Sequence, residues 1–218
     1  MSVRLVLFDM DGVLVDTVSS WVAVHRHFKV SNEENTRRFF EGEIDELEFI
    51  RSDVGLWKSR KKDVSVHDLK GILDGIPLMK GARETVQALK RRGIKTAIIS
   101  GGIDLLANRV KKETGIDISM ANGLGCDEKG TLTGEGILRV RIGDKGETAR
   151  SVMSSLNIGR DQCASVGDTK TDIPLFRSTG IGIAFNPAQS EVEEEADYTV
   201  RGSDLTGILD YIIGADRE

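Results

Sequence analysis

Val3-Arg-Leu-Val-Leu-Phe8-Asp9-Met-Asp11-Gly-Val13 is the stretch on which the fold turns. A short apolar run ends abruptly at an acidic, glycine-containing turn. A strand covered on both faces needs no polar side, so the run reads as a buried parallel strand over 3–8. Asp9 and Asp11 stand two apart, and in extended chain such residues point to the same side. The two carboxylates therefore share one small space at a strand end. Like charges that close favour a proton on one of them or a cation between them. One carboxylate to attack and one to shuttle a proton is a division of labour that suits the pair. Taken alone, Asp-x-Asp-Gly also reads as a turn whose side chains cap backbone groups.

Outward from this strand the chain changes character twice. From 17 to 77 it is polar and helical in period. Trp21, Val24 and Phe28 share one helical face, and Leu47, Ile50, Val54 and Trp57 share another. Ser65 opens a third helix carrying Val66, Leu69 and Leu73, and Pro77 and Gly81 mark the way out. Past Gly81 the elements alternate. A helix from Ala82 is ended by Gly93. A strand over 94–99 stops at Ser100-Gly-Gly, and a helix over 105–114 is ended by Gly115. Two short strands form a hairpin around Lys129-Gly130. Then come a helix over 145–156, a strand over 163–166 stopping at Gly167-Asp168, and a helix over 173–178. A strand over 181–185, a short helix over 192–196, a strand over 198–200 and a closing helix carrying Leu205, Ile208, Leu209 and Ile212 complete the chain. The pattern predicts an α/β fold, a Rossmann-like parallel sheet core over 1–16 and 78–218 with helices on both faces and a small helical module inserted over 17–77. In such sheets ligands bind beyond the carboxyl ends of the strands, where Asp9, Asp11, Ser100 and Asp168 all fall.

Three further motifs sit at those ends. Gly167-Asp168-Thr-Lys-Thr-Asp172 supplies a second acidic pair, which a helix starting there brings to adjacent turns. Hard cations such as Mg²⁺ take oxygen ligands, and carboxylates from two loops meet that need. A helix cap and a first-turn acid explain each aspartate separately, but not their shared placement with Asp9. Ser100-Gly101-Gly102 offers a hydroxyl and unhindered N–H groups, an anion cradle at a helix start or a plain turn. Lys145 opens a helix, where the macrodipole disfavours it, so it is either held for an anion or a solvated surface lysine. Together these are the parts of phosphoryl transfer: an attacking oxygen, charge neutralisation and a proton donor.

Composition narrows the setting. The chain has 218 residues, 39% of them hydrophobic, enough for one core domain and a smaller companion. A net charge of −5 without basic excess argues against nucleic acid as the main partner. No apolar run reaches the length of a membrane span, and the N-terminus lacks the apolar region of a signal peptide, so no membrane partner and a cytoplasmic setting are expected. Cys126 and Cys163 show neither CxxC spacing nor a disulfide framework and are expected to be reduced.

In this order Asp9-Met-Asp11-Gly-Val, Thr96-Ala-Ile-Ile-Ser100, Lys145 and Gly167-Asp168-x-x-x-Asp172 resemble the haloacid dehalogenase-like phosphatase superfamily, over essentially the whole chain. The resemblance implies a Mg²⁺-dependent phosphatase acting on a small-molecule phosphate monoester through an aspartyl-phosphate, as a monomer or homodimer. It makes Asp9 the nucleophile and a Mg²⁺ ligand. Asp11 becomes the general acid/base, with its backbone carbonyl on the metal. Ser100, Gly101 and Lys145 become phosphate ligands, Asp168 a metal ligand, and Asp172 a ligand or the support behind one. The helical module becomes a cap over the active site. Ser100-Gly-Gly, Ala121-Asn-Gly-Leu, Gly130-Thr-Leu-Thr-Gly134 and Lys145-Gly-Glu resemble the phosphoserine phosphatase branch. That branch usually has a glutamate soon after the first motif, where Val18 stands here. It also has a cap arginine, near which this chain has Arg51 and the better-aligned Asp53. Thr169-Lys170-Thr171 replaces its usual Gly-Ala-Asn. Trp21, His25, Arg51 and Trp57 are candidates to line a substrate pocket. A phosphomutase with the same covalent chemistry and a non-catalytic phospho-receiver or binding protein are the competing readings.

Overall fold

The apolar run forms strand β1 (Leu5–Phe8), with every side chain buried. Leu5 and Leu7 pack into one cluster and Val6 and Phe8 into another, so both faces are covered. The computed structural model describes residues 2–214. Four helices follow in the inserted region: α1 (Ser20–Phe28), α2 (Glu33–Phe40), α3 (Glu46–Arg60) and α4 (Val66–Leu73). After them come α5 (Ala82–Arg91), β2 (Lys95–Ile103), α6 (Asp104–Thr114), β3 (Ile118–Cys126) and β4 (Leu132–Ile137). The rest is α7 (Lys145–Ser155), β5 (Cys163–Gly167), α8 (Ile173–Ser178), β6 (Ile181–Phe185), α9 (Ser190–Glu195), β7 (Tyr198–Val200) and α10 (Leu209–Ile213).

The strands form one sheet in the order β4-β3-β2-β1-β5-β6-β7, parallel except for the β3–β4 hairpin. β1 lies between β2 and β5, so the chain reverses its direction of travel across the sheet at β1. The crevice at such a switch point opens beyond the carboxyl end of β1, where Asp9 follows. Helices α5 and α6 cover one face through Val86, Leu89, Leu106 and Val110. Helices α7 and α8 cover the other through Ala149, Val152, Met153 and Leu175. The inserted helices add Val24, Val54, Trp57, Leu69 and Leu73 to the first of these clusters. Their ends are well specified. Ser19 caps α1, and capping boxes Asp45/Glu48 and Ser65/Asp68 open α3 and α4.

The α/β class, the parallel order and the inserted helical cap match the expectation, while several elements depart from it. The first strand begins at Leu5 rather than Val3. Helix α2 has no sequence counterpart because it buries no residue and so carries no apolar stripe. It is attached through Phe39, which stacks on Phe49 at 5.0 Å. The second strand does not stop at Ser100 but runs to Ile103, and α6 starts at Asp104, so Ser100-Gly101-Gly102 is strand rather than helix start. A register shift between Ile99 and Ile103 absorbs this stretch. Between Asp168 and Asp172 the chain makes a 3₁₀ turn over Lys170–Asp172 before α8, instead of the first turn of an α-helix. The closing helix is likewise split into a 3₁₀ turn over Leu205–Ile208 and α10.

Candidate active site

Asp9 continues the register of β1: its N–H donates to the Val166 carbonyl of β5 at 2.9 Å. Its carboxylate is thereby held at the switch point, and the side chain is only 5% exposed. Asp168 enters from the end of β5. The two loops can touch because residue 12 is glycine: a Cβ there would fall 2.2 Å from Asp168 Oδ2, and its φ of +81° also favours glycine. Gly102 plays the same part for the third loop, since a Cβ would come within 2.9 Å of Asp11 Oδ2.

Lys145 is buried, not solvated. Its Nζ lies 2.8 Å from Asp9 Oδ1 and 2.7 Å from Asp172 Oδ1. The other Asp172 oxygen accepts the N–H groups of Asp168 and Thr169 at 3.1 and 3.0 Å and the Thr169 hydroxyl at 3.1 Å. Asp172 thus fixes both the lysine and the Asp168 loop. Asp11 points the other way, where Oδ2 accepts the N–H and the hydroxyl of Ser20, each at 2.8 Å. Ser20 Oγ in turn accepts the Ile103 N–H at 3.1 Å, tying α1 to the end of β2. Ser100 Oγ accepts the Gly102 N–H at 3.1 Å, which leaves its own proton to donate.

Burial dominates the electrostatics. It raises Asp9 from 3.8 to about 7 against the pull of Lys145, with Asp172 and Asp11 adding to the rise. Burial, then Asp9 and Asp172, lift Asp168 from 3.8 to about 8. Asp11 is also raised, by burial opposed by its Ser20 bonds. Burial alone would lower Lys145, but Asp172 and Asp9 outweigh it and raise the ammonium above its ordinary value. One lysine is too little positive charge for this group. Carboxylate oxygens of Asp9, Asp168 and Asp172 lie within 4.8 Å of one another, and Asp11 Oδ1 and Asp168 Oδ1 are buried without a hydrogen-bond donor. An all-oxygen donor set with unmatched negative charge fits a hard divalent cation.

A cavity of about 440 Å³ joins this mouth to the inserted helices. Asp9, Asp11, Ser100, Gly101 and Lys145 line it from the sheet side, and Trp21, His25 and Asp53 from the helical side. Of the four candidates for a pocket wall, Trp21 and His25 are there. Trp57 is fully buried behind them, and Arg51 is exposed and paired with Glu135 at 3.0 Å. Sequence reading gave no role to Ser20, which orients Asp11, or to Asn122. The Asn122 side chain, bonded to Arg139 N, Val140 N and Val140 O, holds the segment after β4 beside Gly101. The only trace of Ser20 is its place at the start of the first helix.

The sequence profile described as haloacid dehalogenase-like hydrolase matches residues 3–180. The chain belongs to this family. Within this hydrolase family its relatives are phosphoserine phosphatases. That of Methanocaldococcus jannaschii is 32% identical over 216 residues, covering 96% of this chain and 97% of the relative. That of Idiomarina loihiensis is 33% identical over 211 residues, covering 94% and 91%. A solved structure of a phospho-aspartyl intermediate analogue of phosphoserine phosphatase superposes with a TM-score of 0.81 at 31% identity, over 97% of this chain and 100% of that one. A substrate-bound phosphoserine phosphatase gives 0.79 at 29%, over 97% and 99%. The chain is therefore a haloacid dehalogenase-like phosphoric monoester hydrolase of the phosphoserine phosphatase branch. Among the described residues no helix is long and apolar enough to cross a membrane.

Proposed function

We propose that this hydrolase is a Mg²⁺-dependent phosphatase that cleaves a small-molecule phosphate monoester through a phosphoryl group carried on Asp9. The observation that carries the reading is the convergence of Asp9, Lys145, Asp168 and Asp172 from three separate segments at the switch point of the sheet. The solved relative described as a phospho-aspartyl intermediate analogue supports the covalent route.

The chemistry balances with the groups present. An Asp9 oxygen attacks phosphorus, and the ester oxygen leaves with a proton from Asp11. Water, losing a proton to Asp11, then attacks the same phosphorus; the P–O bond to Asp9 breaks and inorganic phosphate leaves. Ser20 aims Asp11 for both transfers. Ser100, Gly101 and Lys145 receive the phosphoryl oxygens, and Lys145 keeps Asp9 in place. Mg²⁺ held by Asp9, Asp168 and the Asp11 carbonyl, with Asp172 behind them, would supply positive charge that keeps the buried carboxylates ionised and offsets charge on the phosphoryl group. In this reading residues 17–77 form the cap and 1–16 with 78–218 the core, and the cap over the cavity limits the access of water.

Purified protein should hydrolyse a generic aryl phosphate with Mg²⁺, and chelator should stop it. Phosphorus NMR of the products should show free phosphate. Transfer to a second hydroxyl would favour a phosphomutase, and a stable phosphoprotein without phosphate release would favour a receiver.

A further inference from the structure

We propose that Asp53 makes the cap wall of the cavity a receptor for a cationic group, so that the preferred substrate is a phosphate ester of an amino alcohol without a carboxylate. This rests on the phosphatase reading and names its substrate class. Asp53 is 2% exposed and lines the cavity opposite the sheet mouth. Its Oδ1 accepts Asn32 Nδ2–H at 2.5 Å and lies 2.9 Å from His25 Nε2. The Trp57 indole N–H donates to His25 Nδ1 at 2.8 Å. An indole can only donate, so Nδ1 carries no proton and the ring hydrogen sits on Nε2, the nitrogen nearer Asp53. Both neighbours of Asp53 are therefore uncharged, and Asn32 is the one that donates to it. Among the described residues no lysine or arginine pairs with it, and Oδ2 has no donor from the protein.

The surroundings sharpen the preference. Val22, Val30, Phe49 and Ile50, all from the inserted helical region, also line the cavity. A buried carboxylate with a free oxygen among apolar side chains favours a cation that donates hydrogen bonds and repels a second carboxylate. Arg26 and Glu33 also line the cavity, but both are exposed and opposite in sign, so solvent screens them. On the sheet side, Lys145 and the Ser100-Gly101 stretch of β2 are left for the phosphate. A small ester with phosphate at one end and ammonium at the other matches this distribution of charge.

Three phosphonates of matched size test it: 2-aminoethylphosphonate, propylphosphonate and 3-phosphonopropionate. Trp21 lines the cavity, so tryptophan fluorescence reads occupancy without turnover. The amine should bind at least about tenfold more tightly than its neutral isostere, and the carboxylate more weakly than either. Asp53→Asn should shrink the amine preference to about twofold or less, and the ratio of kcat/KM for phosphoethanolamine over propyl phosphate should shrink with it. Equal or tighter binding of the carboxylate probe to the parent protein would overturn the proposal without any variant, as would an amine preference that survives Asp53→Asn. The expected binding order without turnover of any ester would instead remove the phosphatase reading and leave the receptor standing.

Discussion

The sheet mouth and the cap wall face each other across one cavity and handle buried charge in opposite ways. At the mouth Asp9 and Asp172 share a single ammonium with Asp11 and Asp168 close by, and burial pushes Asp9, Asp11 and Asp168 above their ordinary range. On the cap wall one carboxylate, Asp53, accepts a neutral donor from Asn32 and lies 2.9 Å from His25 Nε2. In the proposed function the mouth is completed by a cation common to all substrates of the reaction, which its unmatched carboxylates fit. The wall is built around a single acceptor, and so suits discrimination between substrates. The difference teaches that charge excess marks the reacting end and charge isolation the recognising end.

The contrast can be broken most severely at the proposed nucleophile. Asp9→Asn should lower turnover by about 10³-fold or more while the circular dichroism spectrum stays that of the parent. Asp11→Asn should cost about 10²–10⁴-fold, and residual burst release of alcohol would separate loss of the acid from loss of the nucleophile. The lysine tests the charge balance itself. Lys145→Ala leaves Asp9 and Asp172 without their cation, and denaturant unfolding of metal-free protein should show a loss of about 3–5 kcal/mol.

A pH series separates the two regions. In metal-free protein Asp9 and Asp168 are raised from 3.8 to about 7 and about 8, so the folded state holds more protons than the unfolded chain between those limits. Stability from these groups is therefore fully present below about pH 4 and is lost as pH rises toward 8. The unfolding midpoint in chelator should fall across that window, and Mg²⁺ should restore more of it at pH 8 than at pH 5. On the cap wall the effect is smaller. Trp57→Phe strips the donor from His25 Nδ1 and should cost about 1–3 kcal/mol on thermal unfolding, with little change in Mg²⁺ dependence.

The two regions also differ in how much of them was legible in the sequence. Asp9, Asp11, Ser100 and Asp168 stand at or after the ends of buried runs, where residue type and position already point to one crevice, while Lys145 opens a helix and gains its meaning only beside them. The parallel order followed from the alternation of strands and helices. Less visible were the contacts that set direction. Strand β2 runs through Ser100-Gly101-Gly102 because the chain there is packed against Met10 and Ser20, which no local pattern announces. Helix α2 was silent because it buries nothing. Arg51 and Asp53 are two residues apart on α3, hence on nearly opposite faces. Which of them turned inward was set by His25 on α1 and Asn32 before α2, segments over twenty residues away.

The most direct test is calorimetric titration of Mg²⁺ into chelator-treated protein, alongside Asp168→Asn. One saturable site is predicted in the parent, weakened by about tenfold or more in the variant while both remain folded. Equal Mg²⁺ affinity in the two proteins would contradict the placement of the ion between the ends of β1 and β5.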